Sequence, residues 1–368
     1  MSEIAEIPLV DISRPKQWPT LSRRELTETG YPVYGANGQI GFSDTYTHAD
    51  PTVIIGCRGS CGQIHVTVPN SYVTGNAMAL DALDTDRVDQ SYLVHFLRKR
   101  GFDDIVSGSS QPQITRKGLS RLLVPLPSIQ EQRRIAAILD KADAIRRKRE
   151  QALNLTDEFL KSVFLEMFGD PVGNSKGLRT KPLSWFGEIV TGNTPPRSNP
   201  RNYGCHIEWI KSDNINTPKH YLTEAKEYLS EEGAKLGRTV PRGSILVICI
   251  AGSPASIGRA AIADRDVALN QQINAITPNQ DIDQHFLYAQ FVVGQRLVQA
   301  ASTNSMKGMV SKGKFKEIQF LAPEPDEQRK FGEIFHKYLE NSTRLLSANN
   351  ASQDLFSSLS QRAFRGEL

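Results

Sequence analysis

The stretch PLPSIQEQRRIAAILDKADAIRRKREQALNLTDEFLKSVFLEMFGD, residues 125–170, decides the architecture of this chain. Pro127 cannot continue a helix from upstream, Ser128 can cap one, and Glu131 stands three residues on, where a capping-box acid reaches back to the cap. Apolar residues then recur at Ile135, Ile138, Leu139, Ala142, Ile145, Ala152, Leu153, Phe159, Leu160, Val163 and Met167. The alternation of threes and fours is the seam of a coiled coil. Gly169, followed by Asp170 and Pro171, is a stop signal of the C-capping kind. One helix from Ser128 to Gly169 would be about 60 Å long at 1.5 Å per residue, and an amphipathic rod of that length needs a partner.

The same chain supplies it. Residues 325–368, PDEQRKFGEIFHKYLENSTRLLSANNASQDLFSSLSQRAFRGEL, repeat the first stretch without a gap when Glu327, Gln328 and Arg329 are set against Glu131, Gln132 and Arg133. The offset, 327 − 131 = 196, also pairs Pro127 with Pro323, Leu139 with Phe335, Lys141 with Lys337 and Phe168 with Phe364. The second seam reads Phe331, Ile334, Phe335, Tyr338, Leu345, Leu355, Phe356 and Leu359, interrupted by Asn349 and Ser352, which predicts a weaker or kinked middle. Either helix alone could belong to an independent core; the shared register favours a pair.

With 368 residues, 23% charged and 39% hydrophobic, the chain has the composition of a soluble globular protein with two or three domains. No apolar run approaches the roughly eighteen residues of a spanning helix, and the opening MSEIAEIPLV lacks a basic start and an h-region, so no membrane role and a cytoplasmic location are expected. Cys57, Cys61, Cys205 and Cys249 are too few for a disulfide scaffold, and Cys57 and Cys61 have only His65 nearby, so core cysteines are expected and no metal. A net charge of +4 and a pI near 8.8 permit nucleic-acid binding without requiring it.

The repeat extends beyond the helices. Residues 1–127 form a globular unit in which YPVYGANGQIGFSDTY reads as hairpin-like β-structure, DPTVIIGCRGSCGQIHVTV as strand, Gly-rich turn and strand, and DQSYLVHFLRKRGF as a short amphipathic helix with Tyr92, Leu93 and Phe96 inward. Arg98, Lys99 and Arg100 stand at its C-terminal end, where the helix dipole favours cations. Residues 171–324 repeat this order: GSILVICIAGSPASIGRAAI matches the strand and turn, with Gly252 and Ser253 beside Gly59 and Ser60. LNQQINAITPNQDIDQHFLYAQFV matches GNAMALDALDTDRVDQSYLVHFL, with Asn270 beside Asn76 and Asp283 beside Asp89, and STNSMKGMVSKGKFKEIQFLAPEP matches the return segment before the first helix. The expected fold is α+β: two α/β globular domains, 1–127 and 171–324, separated by two long antiparallel helices, 128–170 and 325–368, that form an intramolecular coiled coil in a pseudo-two-fold tandem repeat. The opening of the second unit, WFGEIVTGNTPPRSNPRNYGCHIEWIKSDNIN, has no clear counterpart before residue 50. Two different targets, or drift, would produce that.

Catalytic patterns are missing. Gly35, Gly38 and Gly41, like Gly56, Gly59 and Gly62, lack the G-x-G-x-x-G spacing and following helix that pyrophosphate binding needs. The chain has no P-loop, H-E-x-x-H, G-x-S-x-G or N-P-P-Y type motif, and Glu231 with Glu232 reads as a solvated helix face. Binding chemistry remains. In the first unit Asn37, Arg58, Ser60, Ser110, Gln111, Gln113, Arg116 and Lys117 fall on loops, and in the second Thr194, Arg197, Lys211, Asn214, Ser253, Arg259, Lys307, Lys312 and Lys314 do. Arg and Lys neutralise phosphates, while Arg, Asn and Gln make paired hydrogen bonds to purine edges.

Over essentially its whole length the chain resembles the specificity subunits of Type I restriction-modification systems. The resemblance is carried by VPLPSIQEQRRIAAILDKADAIRRKREQALNLTDEFLKSVFLEMFGD, by its weaker twin LAPEPDEQRKFGEIF with LFSSLSQRAFRGEL, and by YPVYGANGQIG and GNTPPRSNPRNYGCHIEWIKSDNI, which look like openings of two target-recognition domain types. It implies a non-catalytic subunit in which each globular domain reads one half of a bipartite, asymmetric double-stranded DNA site and the helices set the unread spacer. It also implies two modification (methyltransferase) subunits docked on the helices and adjoining surfaces, with restriction and translocase subunits joining them. S-adenosylmethionine, ATP and Mg would belong to those partners and none to this chain.

Overall fold

The computed structural model describes residues 4–108, 111–215, 220–303 and 308–368, apart from the side chain of residue 157. The first long helix runs Ile129–Phe168 and the second Pro325–Ala363. Ser128 Oγ accepts from the Glu131 N–H at 3.3 Å, while the Glu131 carboxylate turns to Arg134 at 2.9 Å rather than back to the cap. The helix stops at Gly169, whose φ of 76° suits a residue without a Cβ.

Two compact units divide the chain: unit 1 comprises residues 1–151 and 347–368, and unit 2 residues 152–346. Each unit therefore holds part of each long helix. In unit 1, Ile135, Ala136 and Leu139 from the start of the first helix pack with Phe356, Leu359 and Ala363 from the end of the second. In unit 2, Phe164 and Phe168 from the end of the first helix meet Phe331 from the start of the second, with ring centroids 5.4 and 5.8 Å apart. Both pairings are antiparallel.

The buried stripe corrects the seam. On the first helix it follows Ile135, Leu139, Ala142, Arg146, Arg149, Leu153, Thr156, Leu160, Val163 and Met167, each buried or half-buried. Ile145 and Phe159 are instead 42% and 59% exposed. Each stands one residue before a seam position of the strict three-four alternation, taken by Arg146 and Leu160, and one residue turns a helix by about 100°. On the second helix the stripe follows Phe331, Phe335, Tyr338, Ser342, Leu345, Asn349, Ser352, Phe356, Leu359 and Ala363, while Leu355 is 56% exposed. Every position of the second stripe is the first shifted by 196. The helical hydrogen-bonded run is unbroken over 39 residues, and the buried Ser352 hydroxyl donates to the Asn349 carbonyl at 2.8 Å.

Unit 1 is built on an antiparallel four-stranded sheet, in the order Arg14–Lys16, Ala77–Asp81, Val53–Gly56 and Ile64–Val66. The central strand Val53–Gly56 is buried along its length. Val53 and Ile55 point into a core with Leu80, Leu93, Leu97 and Val124, whereas Ile54 points to a second core with Tyr34 and Val73, as the two-residue period of a strand requires. A three-stranded sheet of Gly38–Ser43, Tyr31–Gly35 and Tyr72–Val73 lies on that second side, its last pair parallel.

Unit 2 repeats this plan. Its four-stranded sheet is Gly187–Thr191, Ile273–Pro278, Ile245–Ile248 and Ala260–Ile262. Ile245 and Val247 face one core and Leu246 and Ile248 another. The second sheet has four strands, Tyr228–Leu229, Tyr203–Ile210, Val267–Leu269 and Arg238–Val240, and again holds one parallel pair, Trp209 opposite Ala268. Openings that look unrelated in letters thus build the same kind of sheet, because a strand is specified by burial rather than by residue identity.

In each unit a helix joins the sheet to the long helices: Gln90–Arg100, capped by Asp89, and Gln284–Val293, capped by Asp283. Burying its apolar face contributes about 1.5–3 kcal/mol per large side chain, and Tyr92, Leu93 and Leu97 are all below 3% exposed. Gly332 of the second long helix passes so close to Asp283 that an added Cβ would lie 2.2 Å from its carboxylate.

Candidate nucleic-acid interface

In unit 1 the loops that carry Asn37, Arg58, Ser60, Gln111 and Gln113 converge. The turn between Tyr31–Gly35 and Gly38–Ser43 exposes Asn37 and brings the Ala36 carbonyl against Gly56. A Cβ on Gly56 would stand 2.6 Å from that oxygen and 2.2 Å from the Ser60 carbonyl, so only glycine allows the approach. Arg58 pairs with Gln113 in an antiparallel bridge, and the Cys61 thiol donates to the Pro112 carbonyl at 3.1 Å. The Asn76 carbonyl accepts from the N–H groups of Cys57 and Arg58 at 2.9 and 3.2 Å.

Arg58, Asn37 and Gln111 are exposed, and Ser60 and Gln113 half-buried. Asn76, exposed at the same corner, is visible in the sequence only as the repeat partner of Asn270 and not as a binding residue, since a single Asn in a strand-leading loop carries no binding pattern. Arg116 and Lys117 lie on the short helix Arg116–Leu119, capped by Thr115, and among the described residues no side-chain bond ties them to the cluster. Ser110 lies outside the described residues.

The Cys57 thiol is buried, accepts from the Gln17 amide at 3.0 Å and has its pKa pushed up by burial. All four cysteines are free, Cys57 and Cys249 in the cores and Cys205 exposed. No group of three or more His, Cys, Asp or Glu side chains with metal-holding geometry occurs among the described residues.

Unit 2 assembles a corresponding corner from other side chains. The Gln272 carbonyl accepts from Cys249 and Ile250 N–H groups at 2.8 and 3.1 Å, which makes Gln272, rather than Asn270, the counterpart of Asn76. Asn270 is buried and donates to the Gln272 side chain at 3.1 Å. The Thr194 hydroxyl bonds to the exposed Gln271, and Ser212 to Gln272 at 3.4 Å, so the segments at 194, 212 and 271 meet. Ser253 stands exposed on the turn that follows Ile250–Ala251, the strand paired with Gly308–Met309.

The main electrostatic feature here is a clamp on Trp209. Arg197 lies 5.2 Å over its ring and 5.1 Å over Tyr203, and Lys211 lies 4.9 Å over Trp209. Glu227 holds both cations, Arg197 at 2.8 Å, and its carboxyl is kept below the ordinary range chiefly by the Lys211 bond. Two cations against one carboxylate leave a net positive surface with an exposed guanidinium. Tyr203, Trp209 and Glu227 were not legible as a group in the sequence, because they meet only through the pairing of Tyr203–Ile210 with Tyr228–Leu229.

Two expected readers fall elsewhere. Asn214 is 5% exposed, and its side chain accepts from the Lys211 N–H at 3.0 Å and donates to the Glu224 carbonyl at 2.9 Å. Its amide is committed to the turn and has no free edge for a base. Arg259 is exposed but lines a separate cleft with Leu160, Phe164 and Tyr288. Lys312 and Lys314 are exposed on the helix Lys312–Glu317, capped by Ser311 as Thr115 caps its twin. Lys307 lies outside the described residues. No helix among the described residues is long and apolar enough to cross a membrane.

The HindI specificity subunit of Haemophilus influenzae is 30% identical over 182 residues, 45% of this chain and 37% of that one. The EcoprrI specificity subunit of Escherichia coli is 31% identical over 116 residues, 31% of this chain and 28% of that one. The chain thus spans about a third of the length of the curated relatives it matches. The Type I restriction-modification S subunit from M. genitalium shares the fold with a TM-score of 0.67 at 15% identity, over 99% of this chain and 97% of that one. A structure from work on complex assembly of the type I R-M system gives 0.53 at 15% identity, over 100% and 99%. Residues 1–155 and 176–352 both match the family described as Type I restriction modification DNA specificity domain, and the chain belongs to that family.

Proposed function

We propose that this chain is the non-catalytic DNA-recognition subunit of a Type I restriction-modification complex. Each globular unit reads one half of a bipartite, asymmetric site in double-stranded DNA, and the paired helices set the spacer and dock two modification subunits. Methyl transfer, with S-adenosylmethionine, and ATP-driven restriction, with Mg, reside on the partner subunits. The observation that carries this reading is the duplication: one scaffold, used twice, holds two loop corners with different side chains. Asn37, Arg58, Asn76 and Gln113 stand at one, and Thr194, Arg197, Gln271 and Gln272 at the other. Amide and guanidinium groups of this kind discriminate base edges in the major groove.

The test is an exchange. Replacing residues 1–127 with the recognition domain of another family member, then mapping methylated bases in host DNA by methylation-sensitive sequencing, should change one half-site and leave the other. Methyl transfer by the purified chain alone, or a reconstituted complex that protects no sequence in a footprint, would overturn the reading.

A further inference from the structure

In unit 1 a cleft of about 310 Å³ lies between the helix Gln90–Arg100 and the two long helices. Its lining brings together Arg98, Lys99, Arg146 and Arg147, with Asp143 as the one carboxylate and Ser357 and Ser360 on the opposite wall. Asp143 is shared by Arg146 at 2.7 Å and Arg147 at 2.6 Å, Arg146 also reaches Glu150 at 3.4 Å, and the neighbouring Asp140 is engaged by His95 at 2.7 Å and Ser91 at 2.8 Å. Arg98 donates to the Ile64 carbonyl at 3.2 Å, and among the described ion pairs neither it nor Lys99 has a carboxylate. Burial, then the nearby charge of Arg147, holds the Arg98 pKa below its ordinary value. Arg98 and Lys99 thus add positive charge beside the paired Arg146 and Arg147, and an anion placed among them relieves the repulsion.

The fold does not require this charge. At the repeat offsets, 194 for the short helices and 196 for the long ones, His95, Arg98 and Lys99 become Ala289, Val292 and Val293, and Phe356 and Ser360 become Leu160 and Phe164. Those residues line a cleft of about 320 Å³ at the same place in unit 2. Although Lys161 and Arg259 also line the unit 2 cleft, its short-helix face is apolar where that of unit 1 carries His95, Arg98 and Lys99, so those cations answer to something other than packing.

The cleft is continuous with the reading corner. A wider groove of about 720 Å³ shares Arg98, Asp143 and Arg147 with it and extends to Gly38 and Gln39, beside Asn37. We propose that Arg98, Lys99, Arg146 and Arg147 grip backbone phosphates of duplex DNA adjoining the half-site that unit 1 reads. The proposal rests on the reading of the chain as a DNA-recognition subunit. Phe356 is the one apolar side chain of the lining, and the cationic and hydroxyl groups around it suit phosphate, whereas the unit 2 cleft, lined by Leu160, Phe164, Ala289, Val292 and Val293, offers the more apolar surface that a docked protein would need. Such contacts position DNA and carry no base information.

The experiment is a salt titration of DNA binding by the full-length chain reconstituted with its modification subunits. The probes are a duplex bearing the sequence that the complex methylates and a scrambled duplex. The variants are Lys99→Gln and the double Arg98→Gln, Lys99→Gln. Each phosphate contact contributes about 0.9 to the slope of log K against log salt. The single variant should lower that slope by about 1 and the double by about 2, equally on both duplexes, with the methylated sequence unchanged. Lys99 is exposed and bears on no core residue, so the single variant keeps the wild-type melting temperature. Wild-type slopes in both variants overturn the proposal. Loss of subunit assembly with an unchanged slope also overturns it, in favour of an acidic protein surface. If the wild-type complex shows no sequence-dependent binding at all, the recognition reading itself has failed, an outcome distinct from both.

Discussion

The side-chain oxygen of Gln132 accepts a hydrogen bond from the backbone N–H of Asp89 at 2.9 Å, and Gln328 makes the same bond to Asp283 at 3.3 Å. Both glutamines are fully buried, and each also donates to the proline carbonyl five residues upstream, Pro127 or Pro323, at 2.9 Å. The amide therefore locks the start of a long helix to the cap of the helix it packs on. Gln132→Leu and Gln328→Leu should each destabilise the protein by about 1–3 kcal/mol, because buried backbone groups lose partners. Denaturant unfolding measures this, and a near-neutral effect would show that water replaces the amide.

Glu208 and Arg265 form a pair in unit 2, with a bond of 2.7 Å and side chains 13% and 31% exposed. The Arg265 bond holds the Glu208 carboxyl below its ordinary value of 4.5. A carboxyl with a lowered folded-state pKa contributes stability that is fully present above its unfolded value and is lost as pH falls through the folded one. Glu208→Gln should be less stable than the wild type at pH 7, and the gap should narrow as the pH falls below 4.5 toward the lowered folded-state value. Parallel melts at pH 7, 5 and 3 test this; a constant gap would contradict it.

Arg197 and Asn214 should separate recognition from stability. Asn214→Ala leaves its turn without the bonds to Lys211 and Glu224 and should cost about 1–3 kcal/mol of folding stability. Arg197→Ala, at an exposed position, should leave the melting temperature within about a degree. In the complex it should cost about 1–3 kcal/mol of discrimination at the second half-site and none at the first. Competition binding with half-site variants distinguishes the two; equal losses at both half-sites would place Arg197 on the backbone.

Under the proposed function, the seam sets how the spacer can be lengthened. Seven residues inserted after Gln151 and seven after Ser347, positions related by the offset of 196, keep every seam residue in phase. The added rise of about 10.5 Å should lengthen the tolerated DNA spacer by about three base pairs. Four inserted residues should lower stability instead, because they rotate the stripe. Sequencing of methylated host DNA reads the spacer, and an unchanged length with seven residues would mean the helices are not the ruler.

The sequence by itself determined the two long helices, their offset and the tandem arrangement. A coiled-coil seam repeats every seven residues, and a duplication without gaps preserves its phase, so both are written along the chain. It also located the strand and turn at Gly59 and Ser60 and their twin at Gly252 and Ser253, because turns demand particular residues. Only the tertiary structure decided which residues occupy the seam. Ile145 and Phe159 are apolar but sit one position off, and Arg146, Arg149, Asn349 and Ser352 take buried or half-buried places that hydrophobicity alone would never assign them. It likewise decided the clamp of Arg197 and Lys211 on Trp209, the burial of Asn214, and the cationic cleft beside Arg147. These depend on which strand ends and helix faces meet across long sequence separations, and a side chain's partners there follow from packing that no local pattern encodes.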